Sequence, residues 1–501
     1  MGLLSILFGH RQVPTFPTDR IIPLRVWDDI PHLRSLVHDC TFGFDDVLDI
    51  TKLREALHTL LHIGNWRQLG ARLRLNSEGK LEYHIPAQYD DTRSAFIFTT
   101  TKHTSSINDH PLGSRLPRTS SSKAPFLAPC AAEFIPLVCG HGSPQVLRDW
   151  ISSDLPQLRI HVVLFDDSTL LTITHPHTLM DAVGRSTFLR AWTAVLRGQH
   201  GEVPPFRDLS EDPLASLGVE VPGPSYIHAD RVLQGLGIVG FGIRHLFDMW
   251  FHRQQDHLFL IPGRLVDRMR QEVLQETPSS DGTAFSYLSE SDVLLSWWLK
   301  SVTRALDLSP DQIIMSMNMF EIRDLFRDWF PTGSAYIGNA IFPCYTLCSV
   351  PEIMGGSLGT LAQANRRALS RHRTKEQVHA LAALQSRSLL KTIPLVGESN
   401  LVFMACTNHH KARFFELDFS AAVVRPGVPL SKRANQLGRP SYIGYAEHTD
   451  GYYSTRNLLR VIGKDAVGNW WLSCTLREGA WEKIVGLLNS ALMEIDKTLE
   501  T

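Results

Sequence analysis

Two stretches of the 501-residue chain place a histidine four residues ahead of an aspartate, His177-Asp181 and His252-Asp256. A neutral imidazole has a proton affinity near working pH. It can take a proton from an alcohol or amine, and as general base it contributes typically ~10²- to 10⁴-fold. With 22 histidines in the chain, about one such spacing is expected by chance, because Asp is roughly a twentieth of ordinary composition. Spacing alone therefore selects neither, and context decides. His252-Arg253-Gln254-Gln255-Asp256-His257 is wholly polar and reads as a solvated face. His177-Thr178-Leu179-Met180-Asp181 instead closes an apolar run, behind Pro176 and ahead of Gly184, where a tight turn can hold the ring. The competing structural reading is a core histidine satisfied by backbone groups.

The elements around His177 follow from hydrophobic pattern. Ile160-His161-Val162-Val163-Leu164-Phe165 and Leu170-Leu171-Thr172-Ile173-Thr174 flank Asp166-Asp167-Ser168 and read as a hairpin. After His177, the residues Val183, Phe188, Leu189, Trp192, Val195 and Leu196 recur at helical spacing until Gly198 offers a stop. Strand, sharp turn and helix is thus the expected setting. In the second half, Ser289 can cap a helix whose first turn carries Glu290 and Asp292 and whose apolar face is Val293, Leu294, Trp297, Trp298 and Val302. Strands are expected at Gln312 to Asn318, Leu401 to Ala405 and Phe414 to Phe419, with helix from Leu358 to Leu390. The architecture drawn from this is α/β (α+β), with mixed sheets and flanking helices in two halves.

At 501 residues the chain exceeds the size at which one core stops growing, so two domains are expected. Polar, Pro-rich stretches at Thr100 to Pro129, Gly201 to Pro224 and Thr277 to Thr283 are loops, and the middle one is the best linker. This divides the chain into 1–205, a crossover segment 206–257, and 258–501. Lys+Arg at 50 balance Asp+Glu at 51, which removes the electrostatic drive for nucleic acid. Seven cysteines without Cys-x-x-Cys spacing fit a reduced, cytoplasmic protein. Met1 to Phe8 is apolar but too short for a signal-peptide core, and Ile6 stands where myristoylation requires Ser or Thr. Val232 to Phe251 approaches the length of a membrane span, but Arg244, His245 and Asp248 interrupt it. A buried or interfacial helix near a domain junction is expected there, since a charge at mid-bilayer costs a few kcal/mol.

The residues resemble a known family, the BAHD acyltransferases and their fungal relatives such as the trichothecene acetyltransferases. His177 to Asp181 with Gly184, Phe188-Leu189 and Ala191-Trp192 is similar to the family's HxxxD region. Asn318-Met319-Phe320-Glu321-Ile322-Arg323 and Tyr336-Ile337-Gly338-Asn339 resemble its next landmarks in order, and Asp418-Phe419-Ser420 resembles its late DFGWG signature. Ala182 stands where a glycine commonly follows the Asp, and Ser420-Ala421-Ala422 replaces Gly-Trp-Gly.

The resemblance implies two chloramphenicol-acetyltransferase-like domains with a channel at their interface. Acyl-CoA would enter as co-substrate at one mouth and a small-molecule acceptor at the other, with no permanently bound cofactor and a monomeric chain. It implies His177 as general base and Asp181 turned away from substrate to hold the loop, with Arg323 as its partner. Gly184, Asn339 and Asp418 would support the site, and Thr407 and Asn408 would stand near the acceptor and oxyanion. For the last two, a strand end facing solvent is the competing reading. Spacing alone would set Asp181 beside His177, so the two expectations differ.

Other motifs weigh less. Gly235-Leu236-Gly237-Ile238-Val239-Gly240 fits a dinucleotide pattern but lacks a preceding hydrophobic strand, and close helix packing is the expected use of its glycines. His58 and His62 have ligand spacing without the glutamate of HExxH, so no metal site is expected. A condensation-type enzyme of the same fold wants adjacent histidines, whereas Pro176 separates His175 from His177. A noncatalytic ligand-binding protein of the same fold is the alternative from another class.

Overall fold

The computed structural model describes residue 13 and residues 15–118, 124–219, 223–276, 288–388, 391–449 and 456–500. Two sheets dominate it. In chain order their strands are β1 (Leu36–Phe44), β2 (Ile97–Lys102), β3 (Phe126–Pro129), β4 (Arg159–Leu164), β5 (Thr169–Pro176) and β6 (Gln254–Ile261). Then follow β7 (Ile313–Glu321), β8 (Ile341–Ser349), β9 (Val402–Asn408), β10 (Tyr442–Thr449), β11 (Leu458–Lys464) and β12 (Trp470–Arg477). The first sheet runs β10-β1-β5-β4-β2 and the second β8-β7-β9-β11-β12-β6-β3. Both are mixed: β2 is parallel to β4, and β7, β9 and β11 run parallel, while the remaining pairs are antiparallel.

The expected hairpin is β4–β5, closed by Phe165 N–H donating to the Ser168 carbonyl at 2.9 Å. Two strands cross the division at 205 and 257. β3, from the first half, pairs with β6 in the second sheet, and β10, from the second half, pairs with β1 in the first. Separate from any domain boundary, the two sheets are therefore laced together through the backbone.

On the first sheet, α1 (Ile50–Leu60) packs against α2 (Ala182–Leu196), where Trp192, fully buried, donates to the Leu53 carbonyl at 3.1 Å. Gly198, at φ +74°, ends α2 as its sequence predicts. The next helix, α3 (Leu236–Phe251), departs from expectation, because none of its residues is buried. Its polar side is drawn inward, where Asp248 pairs with Arg456 and with Arg477 at 2.6 Å. Its apolar side, including Leu236, Ile243, Leu246, Phe247 and Trp250, is left exposed. Of the motif glycines, Gly235 takes φ +53° at the helix start, while a Cβ at Gly237 would lie 2.9 Å from Leu233 Cδ2 and one at Gly240 would lie 3.4 Å from Ser399 Cβ, so the close approaches are to loop residues and not to another helix. Among the described residues no helix is long and apolar enough to cross a membrane.

The second sheet is covered by α4 (Gly263–Gln275), α5 (Glu290–Ala305), α6 (Leu358–His372), α7 (Lys375–Arg387) and α8 (Ala480–Glu500). α5 opens on the capping box of Ser289 and Asp292. The expected helix from Leu358 to Leu390 divides at Thr374, which caps α7; residues 389–390 lie outside the described residues. Phe414 to Phe419 is not a strand but a run of tight turns, entered through Arg413 at φ +52°. Phe414, Phe415, Leu417 and Phe419 are all buried, and a half-exposed strand would have turned one of the adjacent phenylalanines to solvent.

Candidate active site

β5 delivers His177 into a turn at the edge of the first sheet. Its amide donates to the Leu36 carbonyl at 2.9 Å, and Leu179 N–H closes the turn on the Pro176 carbonyl at 3.1 Å. Asp181 then caps α2, its Oδ1 accepting from Gly184 N–H at 2.8 Å. Its Oδ2 accepts from Arg323 Nη2 at 2.9 Å and from Ala340 N–H at 3.0 Å. Both carboxylate oxygens are thus taken up by the cap, the guanidinium and the Tyr336–Ala340 segment. None of these partners is His177, and Arg323 is the partner that the family resemblance implies. Arg323 also donates to the Gly338 carbonyl at 2.6 Å, tying β7 to the same segment.

That segment approaches α2 so closely that glycine is obligatory at 184: a Cβ there would lie 1.9 Å from the Ile337 carbonyl oxygen. Asn339 completes the brace. Its Nδ2 donates to the His177 carbonyl at 3.1 Å and to Asp28 Oδ1 at 2.7 Å, and its amide donates to the same Asp28 oxygen at 2.7 Å. Burial pushes the Asp28 carboxyl up to about 6, with Arg25 and Asn339 opposing.

The His177 imidazole is pushed down to about 4, chiefly by burial; its own carbonyl and Glu447 oppose this, and His32 and Arg185 reinforce it. At neutral pH the ring is uncharged and holds a free lone pair. Its Nδ1 is buried with no hydrogen-bond partner of ordinary geometry. The His38 ring lies against it at 4.3 Å between centroids. His38 in turn stands opposite Glu447 on β10 and His175 on β5. Arg460, from β11 of the other sheet, reaches Glu447 Oε2 at 2.5 Å and lies over the Tyr445 ring at 4.3 Å. His177 therefore sits where the two sheets meet.

Other expected residues fall elsewhere. Asp418 touches neither His177 nor Asp181. It accepts from Ser420 N–H at 3.0 Å and lies 4.0 Å from Arg439, shaping its own loop. Asn408 is committed on both sides of its amide, donating to Ser291 at 2.8 Å and accepting from His410 N–H at 2.9 Å. Thr407, paired with Arg460 across β9 and β11, is half-buried at the same strand end. Among the described residues no group of three or more His, Cys, Asp or Glu could hold a metal.

Asp28, His38, Arg185, Tyr445, Glu447 and Arg460 escaped the sequence reading. The available signal was ionisable side chains inside strongly apolar strand runs, as in Leu36-Val37-His38-Asp39-Cys40 and Leu458-Leu459-Arg460-Val461.

Comparison with known proteins puts the chain among acyltransferases. Acetyltransferase adrJ of Penicillium rubens is 42% identical, over 95% of this chain and 98% of the relative. Acetyltransferase sphE of Aspergillus fumigatus is 37% identical, over 97% and 98%. A further relative, 36% identical over 94% and 95%, carries a different name, transcriptional regulator calD of Penicillium decumbens. No family model matches the chain. Among solved structures, TRI101 of F. sporotrichioides, complexed with coenzyme A and T-2, superposes with a TM-score of 0.64 at 15% identity, covering 92% of this chain and 96% of that one. Vinorine synthase follows with a TM-score of 0.59 at 13% identity, covering 95% of each. The chain belongs to the family of these fungal acetyltransferases, and its fold is that of TRI101 and vinorine synthase.

Proposed function

We propose that the chain moves an acyl group, acetyl in the simplest case, from acyl-CoA to a hydroxyl or amine of a small specialised metabolite, with His177 as general base. The observation that carries this reading is an uncharged imidazole at the meeting of two sheets, on a turn whose Asp181 is fully occupied elsewhere. His177 takes the acceptor proton and the acceptor attacks the thioester carbonyl. The tetrahedral oxyanion collapses, and the CoA thiolate leaves with the proton held on the imidazolium. No acyl-enzyme is needed.

Asp181 and Arg323, with Gly184 and Asn339, hold the turn. Thr407 and Asn408 are the candidate oxyanion or acceptor donors, Asn408 through the second hydrogen of an amide whose first goes to Ser291. In this reading the chain works as a cytoplasmic monomer, with domains 1–205 and 258–501 joined by 206–257. Acyl-CoA and acceptor reach His177 through a channel between the domains, and no resident cofactor takes part. The names of the adrJ and sphE relatives and the coenzyme A bound by TRI101 support the donor class.

The test is product mass spectrometry of the purified protein with a panel of CoA esters and candidate alcohols and amines. His177→Ala is expected to lower turnover by ~10²- to 10⁴-fold. Products that persist unchanged in that variant would remove His177 as the base, and their absence with every donor would sink the proposal in favour of a ligand-binding role. The acid limb of kcat/KM checks the base by its sign. A base works deprotonated, so activity should hold down through the usual histidine range and fall only as pH approaches about 4.

A further inference from the structure

Behind His177 lies a cation that the mechanism above does not use. Arg185, on α2, is fully buried, and among the described residues no carboxylate stands within ion-pair distance of it. A buried guanidinium is expensive unless its N–H groups find acceptors. Here the acceptors are neutral. Nε donates to His175 Nε2 at 3.1 Å, and Nη2 donates to His38 Nδ1 at 3.1 Å and to Tyr445 Oη at 2.9 Å. The Tyr445 hydroxyl donates onward to His38 Nδ1 at 2.7 Å.

A guanidinium has five donors and no acceptor, so every ring nitrogen facing it must present a lone pair. His38 is thereby fixed as the Nε2–H tautomer, and that N–H points toward Glu447 Oε2, 3.6 Å away. His175 is fixed as the Nδ1–H tautomer and donates to the Pro176 carbonyl at 2.9 Å. Protonating either ring would set N–H against N–H beside a charge that cannot be titrated away.

We infer that Arg185 is a positioning residue for His177: by demanding lone pairs of His38 and His175, it keeps the histidine cluster uncharged and presses the His38 ring against the base. The groups facing His177 come from every side: His38 from β1, His175 from β5, Arg185 from α2, Glu447 from β10, His32 from the turn at Pro31–Arg34, and His409 beyond β9. Only Glu447 among them is anionic, and Arg460 engages its carboxylate. The inference rests on His177 being the base. Its test does not use turnover, so its failure is separable from failure of the acyl-transfer reading.

The experiment is diethyl pyrocarbonate labelling of the full chain across pH 4 to 8, with His177 modification quantified by peptide mass spectrometry. Only the unprotonated ring reacts, so the labelling midpoint reports its titration. In Arg185→Gln, which removes the charge and keeps a donor, the midpoint should rise by at least one pH unit. Arg185→Lys, which keeps the charge, should stay within half a unit of the parent. An unchanged midpoint in a folded Arg185→Gln protein overturns the inference, and Arg185→Met serves as the second neutral variant. If neither neutral variant folds, the parent decides: a midpoint at or above 6.5 overturns the inference.

Discussion

The turn at His177 and the helix α3 treat polar and apolar side chains in opposite ways. At the turn, Asp181, Asn339 and Asp28 are buried, and Arg323 half-buried, in mutual hydrogen bonds that brace His177. Along α3, one carboxylate is pulled inward by two arginines, and the large apolar side chains are left in solvent. The first region is tied together by hydrogen bonds between elements distant in sequence. The second is held on its inner face chiefly by ion pairs, since it buries no residue of its own. Hydrophobicity therefore says little about which segment is buried once a paired charge competes for the same position.

The comparison can be broken at its strong end first. Arg323→Ala leaves the buried Asp181 carboxylate without its cation, and loss of one partner of such a pair costs about 3–5 kcal/mol. Chemical denaturation should register that loss together with a collapse of activity. A stability change under 1 kcal/mol would mean that Ala340 and Gly184 N–H groups suffice. Gly184→Ala drives a methyl into the Ile337 carbonyl, and an overpacking penalty of roughly 1–3 kcal/mol is expected with a severe drop in kcat, because α2 must shift and carry the turn with it. Wild-type activity in that variant would show the segment yielding instead. On α3 the two sides should diverge. Asp248→Ala, which strands the buried Arg456 guanidinium, should lower stability by about 1–3 kcal/mol. Trp250→Ser on the exposed side should change it by no more than ~0.5 kcal/mol. Equal effects from the pair would erase the distinction drawn between the faces.

Local pattern carried much of this structure. The β4–β5 hairpin, the histidine turn, the glycine stop at 198 and the Ser289 capping box each depend on neighbours within a few residues, and each is legible in the chain. Phe414 to Phe419 misleads because an apolar run buried on all sides looks like a strand until Arg413 turns the backbone left-handed. The supporting cluster was harder for another reason. Arg185 meets Tyr445 across 260 positions, and Asn339 meets His177 across 162, so no window of sequence contains both partners. Asn408 illustrates the same limit: its amide is oriented by Ser291, 117 positions away.

The exchange of strands has a consequence for synthesis. β1 obtains its neighbour β10 only when residues 442–449 exist, so a nascent chain that has finished β5 and α2 still carries an open strand edge through most of translation. Such non-local pairing slows folding and invites association between unfinished chains. The histidine turn, anchored at one end of that same strand, takes its braces from Arg323, Asn339 and Ala340, so it can reach its final shape only after residue 340 has been made.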